Sequence, residues 1–357
     1  MEATVSEVDE AKLEEFVGQA VTDMGAAMNG ALVAIGGKLG IWKAMAGAGP
    51  MTAAEIADSS GVAERYVREW ASAQAASGYL EYDADGETFT LTPEVAMAFA
   101  DENSPVYLLG GYSLIGSVYK DRDALAERFR SGDGFGWHEH DPELFVGTEQ
   151  FFRPGYRTHL IAEWIPALAG VEDKLKSGGK VADIGCGHGI STMLMAKAYP
   201  ESTVYGFDYH DASIARATEI AEAGGAAENT EFAVASAKDY PGEGYDLVAF
   251  FDCLHDMGDP VGAMTHVRET IADDGAVMLV EPFAGDSLAE NLNPVGRIYY
   301  AASTVICTPS SLDQEVGLAL GAQAGEERLR AVAEEAGFTR FRRATETPFN
   351  LVLEARP

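Results

Sequence analysis

"VADIGCGHGIS", residues 181–191, sets an apolar run ending in an acid directly against three glycines and the start of a helix. Gly185, Gly187 and Gly189 stand between the strand-like run "KVADI" and the periodic segment "ISTMLMAKAY", where Ile190, Met193, Leu194 and Ala198 share one helical face. Glycine suits that junction because the chain needs positive φ there, and because a ligand can come close to backbone that carries no side chain. The same grammar then repeats. "STVYGFD" is a strand, Asp211 to Ala223 a helix stopped by Gly224 and Gly225, and "EFAVA" and "YDLVAFF" are strands. Asp259 and Pro260 open the next helix as cap and first residue, and "GAVMLVE" follows as a strand. "FTRFRRA" and "FNLVLEARP", joined by "TETP", close the order. Strands alternating with helices predict an α/β domain with a mostly parallel, doubly wound sheet.

At 357 residues the chain is long enough for two domains, and 47% hydrophobic with 23% charged residues is an ordinary globular composition. Residues 12–100 read as helices followed by a hairpin. Thr52 and Glu55 form a capping-box pattern, Tyr66, Val67, Trp70 and Ala73 mark one face of a helix near 62–77, and "GYLEYDADGETFTLT" supplies two short strands. That order is a winged-helix pattern. We therefore divide the chain into a winged-helix-like domain at 1–100, serving dimerisation or as a lid, a helical linker and substrate-pocket segment at 101–178, and the α/β domain at 179–357. In the linker, "GDGFGWHEHDPELF" reads as a solvated loop rather than a metal site. Phe151, Phe152, Arg153 and Tyr156 are open between helix packing and positioning of an organic substrate.

The formal charge of −32 repels phosphate backbones and anionic lipid. Residues 1–100 alone carry sixteen acidic residues against Lys12, Lys38, Lys43, Arg65 and Arg68, so nucleic acid is not an expected partner of the winged helix. Three cysteines, Cys186, Cys253 and Cys307, form no CxxC pair, and no metal is expected. The acidic start "MEATVSEVDEAKLEEF" is unlike a signal peptide, and Met24–Ile41, broken by Asn29 and Lys38, is too short to span a bilayer. A cytoplasmic protein with no membrane partner is expected. Small residues before Gly47 suit a homodimer interface or intrachain packing equally well.

The glycine spacing is GxGxG, with Ile190 where a dinucleotide fingerprint needs its third glycine, which disfavours a pyrophosphate and an NAD-linked oxidoreductase. Asp183, two residues before the first glycine, suits a ligand ammonium. Asp208, nineteen residues after Gly189 at the end of the second strand, suits a ribose diol. Together they point to S-adenosylmethionine. "DIGCGHG", "GFDYH", "YDLVAFFDCLHDMGDP" and "GAVMLVEP" resemble the sequential motifs of class I S-adenosylmethionine-dependent methyltransferases. With "NPVGRIYYAASTVICTPSS", "GLALGAQAG" and "TPFNLVLEARP", they resemble an actinobacterial family that joins an N-terminal winged-helix domain to a methyltransferase domain. The resemblance implies a Rossmann-like, seven-stranded methyltransferase domain with an antiparallel last strand, S-adenosyl-L-methionine as cofactor, and a small-molecule acceptor methylated on oxygen or nitrogen.

Carried over by position, the resemblance places Asp183, Gly185, Cys186, Gly187, His188 and Gly189 at the methionine part of the cofactor and Asp208 with Tyr209 at its ribose. Ser236 and Ala237 lie beside the adenine, where many relatives have an aspartate, so Asp239 or backbone is an alternative contact. Asp252, first residue past the fourth strand, completes the expected set. "LHDMGD" also resembles the "LHDW" stretch of winged-helix O-methyltransferases, whose histidine is the general base, with Met257 replacing the tryptophan. His255 is thus open between a general base and a ligand of a strand-end carbonyl or the cofactor. Glu281, closing the next strand, either orients His255 or pairs with a backbone amide or Arg297. The competing functional class is an S-adenosylmethionine-binding regulator whose winged helix contacts DNA or protein.

Overall fold

A computed structural model of the chain describes residues 8–226 and 228–357; the first seven residues of the acidic amino-terminal stretch lie outside them. The chain divides into two compact units, one of residues up to Gly116 with Glu143–Pro154, the other of Ser117–Pro142 with Gly155–Pro357. The 101–178 stretch thus contributes residues to both.

In the first unit a long helix, Glu10–Lys38, begins at Asp9, whose carboxylate accepts the N–H groups of Ala11 and Lys12. Helices Ile41–Met45, Ala53–Ser60 and Glu64–Ala76 follow, with three short strands, β1 (Met51–Thr52), β2 (Glu81–Asp83) and β3 (Thr88–Thr90), in the order β1-β3-β2. The Thr52–Glu55 capping box forms as the sequence predicts: each residue's side chain accepts the other's backbone N–H. Trp42 and Trp70 anchor the long helix by donating their indole N–H groups to the carbonyls of Val33 and Leu32, at 3.1 and 2.8 Å. The buried face of Glu64–Ala76 differs from the apolar pattern. Val67, Trp70, Ala71 and Gln74 are inside, while Tyr66 is 81% exposed. Gln74 is buried because it exchanges two amide hydrogen bonds with Asn29, 3.2 and 2.8 Å, a partner 45 residues away.

The second unit is built on seven strands: β4 (Lys180–Ile184), β5 (Thr203–Asp208), β6 (Thr230–Val234), β7 (Tyr245–Phe251), β8 (Ile271–Pro282), β9 (Arg340–Glu346) and β10 (Asn350–Arg356). Their order is β6-β5-β4-β7-β8-β10-β9. The first five pair parallel, and β10 enters antiparallel between β8 and β9. This is the doubly wound α/β sheet with an antiparallel last strand that the sequence predicts. Period-two alternation explains its stability: Val248 and Phe250 face one core, Leu247, Ala249 and Phe251 the other, and all are buried. Helix Ile190–Ala198 buries Ser191, Thr192, Met193, Met195 and Ala196, whereas Ala198 is exposed; the broader buried face includes two hydroxyl side chains that an apolar count passes over. Asp259 caps helix Pro260–Thr270 by accepting the Gly262 N–H at 2.8 Å, with Pro260 in its first turn.

The Asn29–Gln74 pair supplies a stability test. Gln74→Leu strands a buried amide and is expected to destabilise the first unit by about 1–3 kcal/mol in urea unfolding, and adding Asn29→Leu should recover much of that loss. Additive losses in the double variant would show that the pair is not coupled.

Candidate active site

β4 and β7 are parallel neighbours, with Val181 to Ile184 paired to Leu247 to Phe250, so the segments leaving them emerge side by side. Gly185 accepts no side chain there: a Cβ would lie 2.8 Å from Cys253 Sγ, and its φ is +71°. Gly189, at φ +76°, is closed off by the Phe232 ring, 2.8 Å from where a Cβ would stand. Gly187 differs. Its φ is +51°, yet a Cβ would meet nothing within 4 Å, so its backbone faces open space. Cys186 is buried, and His188 is half-buried.

Asp183 is fully buried beneath this loop. Its Oδ2 accepts the hydroxyls of Ser191 and Thr192, both at 2.6 Å, while buried Oδ1 has no hydrogen-bond partner. Burial pushes the carboxyl up to about 6 against the pull of those two hydroxyls. An unpaired carboxylate oxygen next to an open glycine is what a small ligand with an ammonium group requires. Asp208 accepts the backbone N–H groups of Gly187 and His210, each at 2.9 Å; burial raises its pKa and these two bonds offset part of the rise. Tyr209 beside it is 52% exposed. Past β6, the Ser236 N–H donates to Asp239 Oδ1 at 2.9 Å and the Lys238 N–H donates to Ser236 Oγ at 3.1 Å. Asp239 is therefore engaged in its own turn, with Ser236 and Ala237 half-buried.

Asp252 leaves β7 in a left-handed conformation, φ +51°, held by its N–H to the Val280 carbonyl at 2.7 Å. Tyr156 donates to its Oδ2 at 2.9 Å and Asn350 to its Oδ1 at 2.8 Å. Burial, then the neighbouring Glu281, pushes this carboxyl up to about 8. His255 follows on a single 3-10 turn and is 3% exposed. Its Nδ1 lies 2.5 Å from Glu281 Oε2, and the other oxygen of Glu281 accepts the Leu254 N–H at 3.0 Å. Of the alternatives open for Glu281, the orienting contact and the backbone amide are both realised on its two oxygens. Burial alone would lower the His255 pKa; the carboxylates of Asp256 and Glu281 overcome it and hold the ring well above its usual range.

Sequence reasoning missed several members. Trp137 donates to Asp256 Oδ2 at 3.2 Å across 119 residues, and Cys307 stands beside His255 and Asp256. Asn350 reaches Asp252 from the last strand. The solvated-loop reading of residues 132–145 also needs correction: Phe135 and Leu144 are buried, Glu143 opens a helix, and His140 is buried with its Nδ1 2.8 Å from Asp121 and its ring against Phe135, because an acid on the preceding helix pairs with it.

With this geometry in view, family comparison gives two matches. Residues 175–337 match the family described as "Methyltransferase domain", and residues 27–100 match the "Rv2258c-like winged HTH domain". The chain carries a methyltransferase domain. Asp183, Gly187 and Asp208 fit S-adenosylmethionine on the observations above. A trans-aconitate 2-methyltransferase of Streptomyces avermitilis is 25% identical over 135 residues, 38% of this chain; the match spans about half the length of that curated relative. Among solved structures, an O-methyltransferase-class protein of Nostoc punctiforme PCC 73102 aligns at 20% identity and TM-score 0.72 over 98% of this chain and 99% of its own. Mitomycin 7-O-methyltransferase MmcR aligns at 19% and 0.69 over 98% and 99%. Human N-acetylserotonin methyltransferase, in complex with S-adenosylmethionine, aligns at 16% and 0.65 over 99% of each chain. The folds of both units are thus shared with these proteins.

The elevated Asp183 pKa gives a signed pH expectation. Its protonated form stabilises the fold below the unfolded carboxyl range, and that contribution is lost as pH rises through about 6, where the ionised form becomes available to a ligand cation. Affinity for S-adenosylhomocysteine, read by calorimetry, is expected to weaken up to about tenfold per pH unit below that point. Asp183→Asn should bind more weakly at neutral pH and lose the step; an unchanged step in that variant would remove Asp183 from the ligand contact.

Proposed function

We propose that the chain methylates a hydroxyl of a small organic acceptor, with His255 as the general base and Glu281 as its positioning carboxylate. The observation that carries this reading is the His255–Glu281 contact at the exit of β7, beside the glycine loop. Bound S-adenosylmethionine supplies a methyl group on a positively charged sulfur. Asp183 and Gly187 hold its methionine portion, Asp208 and Tyr209 its ribose, and Ser236 and Ala237 border the adenine. Asp252, fixed by Tyr156 and Asn350, shapes the floor between the loop and His255.

For the acceptor, the chain must align a hydroxyl and remove its proton. Glu281 fixes the ring through Nδ1, and in the neutral ring, reached above its raised pKa, Nε2 beside Asp256 takes that proton while the flanking carboxylates stabilise the resulting imidazolium. The architecture supports oxygen as the methylated atom, since proteins sharing it include a mitomycin 7-O-methyltransferase and an O-methyltransferase solved with a hydroxynaphthoic acid. The acidic excess of residues 1–100 weighs against the DNA-contacting regulator.

The winged-helix unit serves pairing with a second copy. Helix Glu10–Lys38 leaves Leu13, Phe16, Val17, Val21, Met24 and Met28 exposed, an apolar face that a second helix of the same kind would cover. Three free thiols fit the reducing cytoplasm, and among the described residues no helix is long and apolar enough to cross a membrane.

Two experiments test these readings. His255→Ala should keep cofactor affinity within about threefold and lower kcat by about 10²–10⁴, with Glu281→Gln falling between it and wild type; retained turnover in His255→Ala excludes the base. Phe16→Lys with Met24→Lys should move the protein from dimer to monomer in sedimentation, and an unchanged mass would place any pairing elsewhere.

A further inference from the structure

We propose that His255, Asp256 and Cys307 form a binding site for a thiophilic divalent cation of the Zn2+ class. The imidazole nitrogen, a carboxylate oxygen and the sulfur lie within 4.8 Å of one another, and the three residues are 3%, 7% and 6% exposed. Nitrogen, oxygen and sulfur donors in one buried cluster are the ligand set of Zn2+, which binds each at about 2.0–2.3 Å and often keeps a fourth position open.

A second observation points the same way. Asp256 Oδ2 is taken by the Trp137 indole N–H, while Oδ1 is buried and faces His255 Nε2 at 3.0 Å. A buried carboxylate oxygen whose polar neighbour is itself a member of the cluster is aimed at the place a cation would take. The outer contacts are those of a metal centre. Glu281 fixes His255 through Nδ1 as carboxylates fix metal-bound imidazoles, and Trp137 fixes the carboxylate of Asp256. Cys307 sits on a π turn, Ser303–Cys307, an irregularity that recurs where a helix must direct a side chain to a site. Cys307 would bind as thiolate and His255 through a deprotonated Nε2, both protons passing to solvent on coordination.

The exposed group His138, Glu139 and Asp313 lacks these features: Glu139 is held by Arg128 at 3.0 Å and by the Gly136 N–H at 3.0 Å.

A cation here occupies the Nε2 electron pair, so on the base reading, on which this consequence rests, the metal-bound form does not turn over. The test uses Co2+ as a visible surrogate for Zn2+ on the full chain. One equivalent of Co2+ should give a thiolate-to-cobalt charge-transfer band in wild type that is absent in Cys307→Ser and in Cys307→Ala, with thermal melting used to confirm that both variants fold. Absence of the band in wild type, or its survival in the variants, overturns the site. In assays, Zn2+ should inhibit wild type at concentrations at least tenfold lower than Cys307→Ser, and equal inhibition overturns the blocking role. Turnover of metal-free His255→Ala judges the base separately, so failure of either idea is read without the other.

Discussion

Everything at this site depends on the parallel pairing of β4 with β7. Both strands are buried on two faces, so neither can shift register without moving side chains out of a packed core. That fixed pairing brings the glycine loop after residue 184 against the turn after residue 251. The contact is close enough that only glycine fits at position 185, where Cys253 fills the space a side chain would need. Burial of two strands thus places Asp183 and His255, 72 positions apart in sequence, at one end of one sheet.

The second constraint is the concentration of negative charge there. Asp183, Asp208, Asp252, Asp256 and Glu281 all lie in the same unit, and their environments separate them. Asp183 and Asp252 are pushed upward by burial, while Asp256 and Glu281 hold His255 far above its ordinary range. Such an arrangement favours cations at its centre. A positively charged cofactor sulfur, an imidazolium and a divalent metal ion are three answers to the same electrostatic demand.

The sheet was legible because its signals are local: period-two apolar runs, glycines at strand exits, and the Asp259–Pro260 helix start each lie within a few residues. The positions of Asp183, Asp208 and His255 followed from that order. What escaped the sequence are contacts made by long-range folding. Trp137 with Asp256, Asn350 with Asp252, and Asn29 with Gln74 join residues 119, 98 and 45 positions apart, and no periodicity encodes such partners. Polar burial misled for the same reason. Gln74 and His140 look like surface residues until their partners, Asn29 and Asp121, are in place.

The central claim is that the reacting methyl group lies in front of His255. A crystal structure with S-adenosylhomocysteine tests it most directly, because the sulfur marks where the methyl group is carried. The account predicts the amino group at Asp183, the ribose at Asp208, and the open side of the sulfur facing His255 Nε2 across a gap that admits one acceptor oxygen, about 3 Å from each reacting partner. A sulfur turned away from His255, or a gap closed by protein, would contradict it.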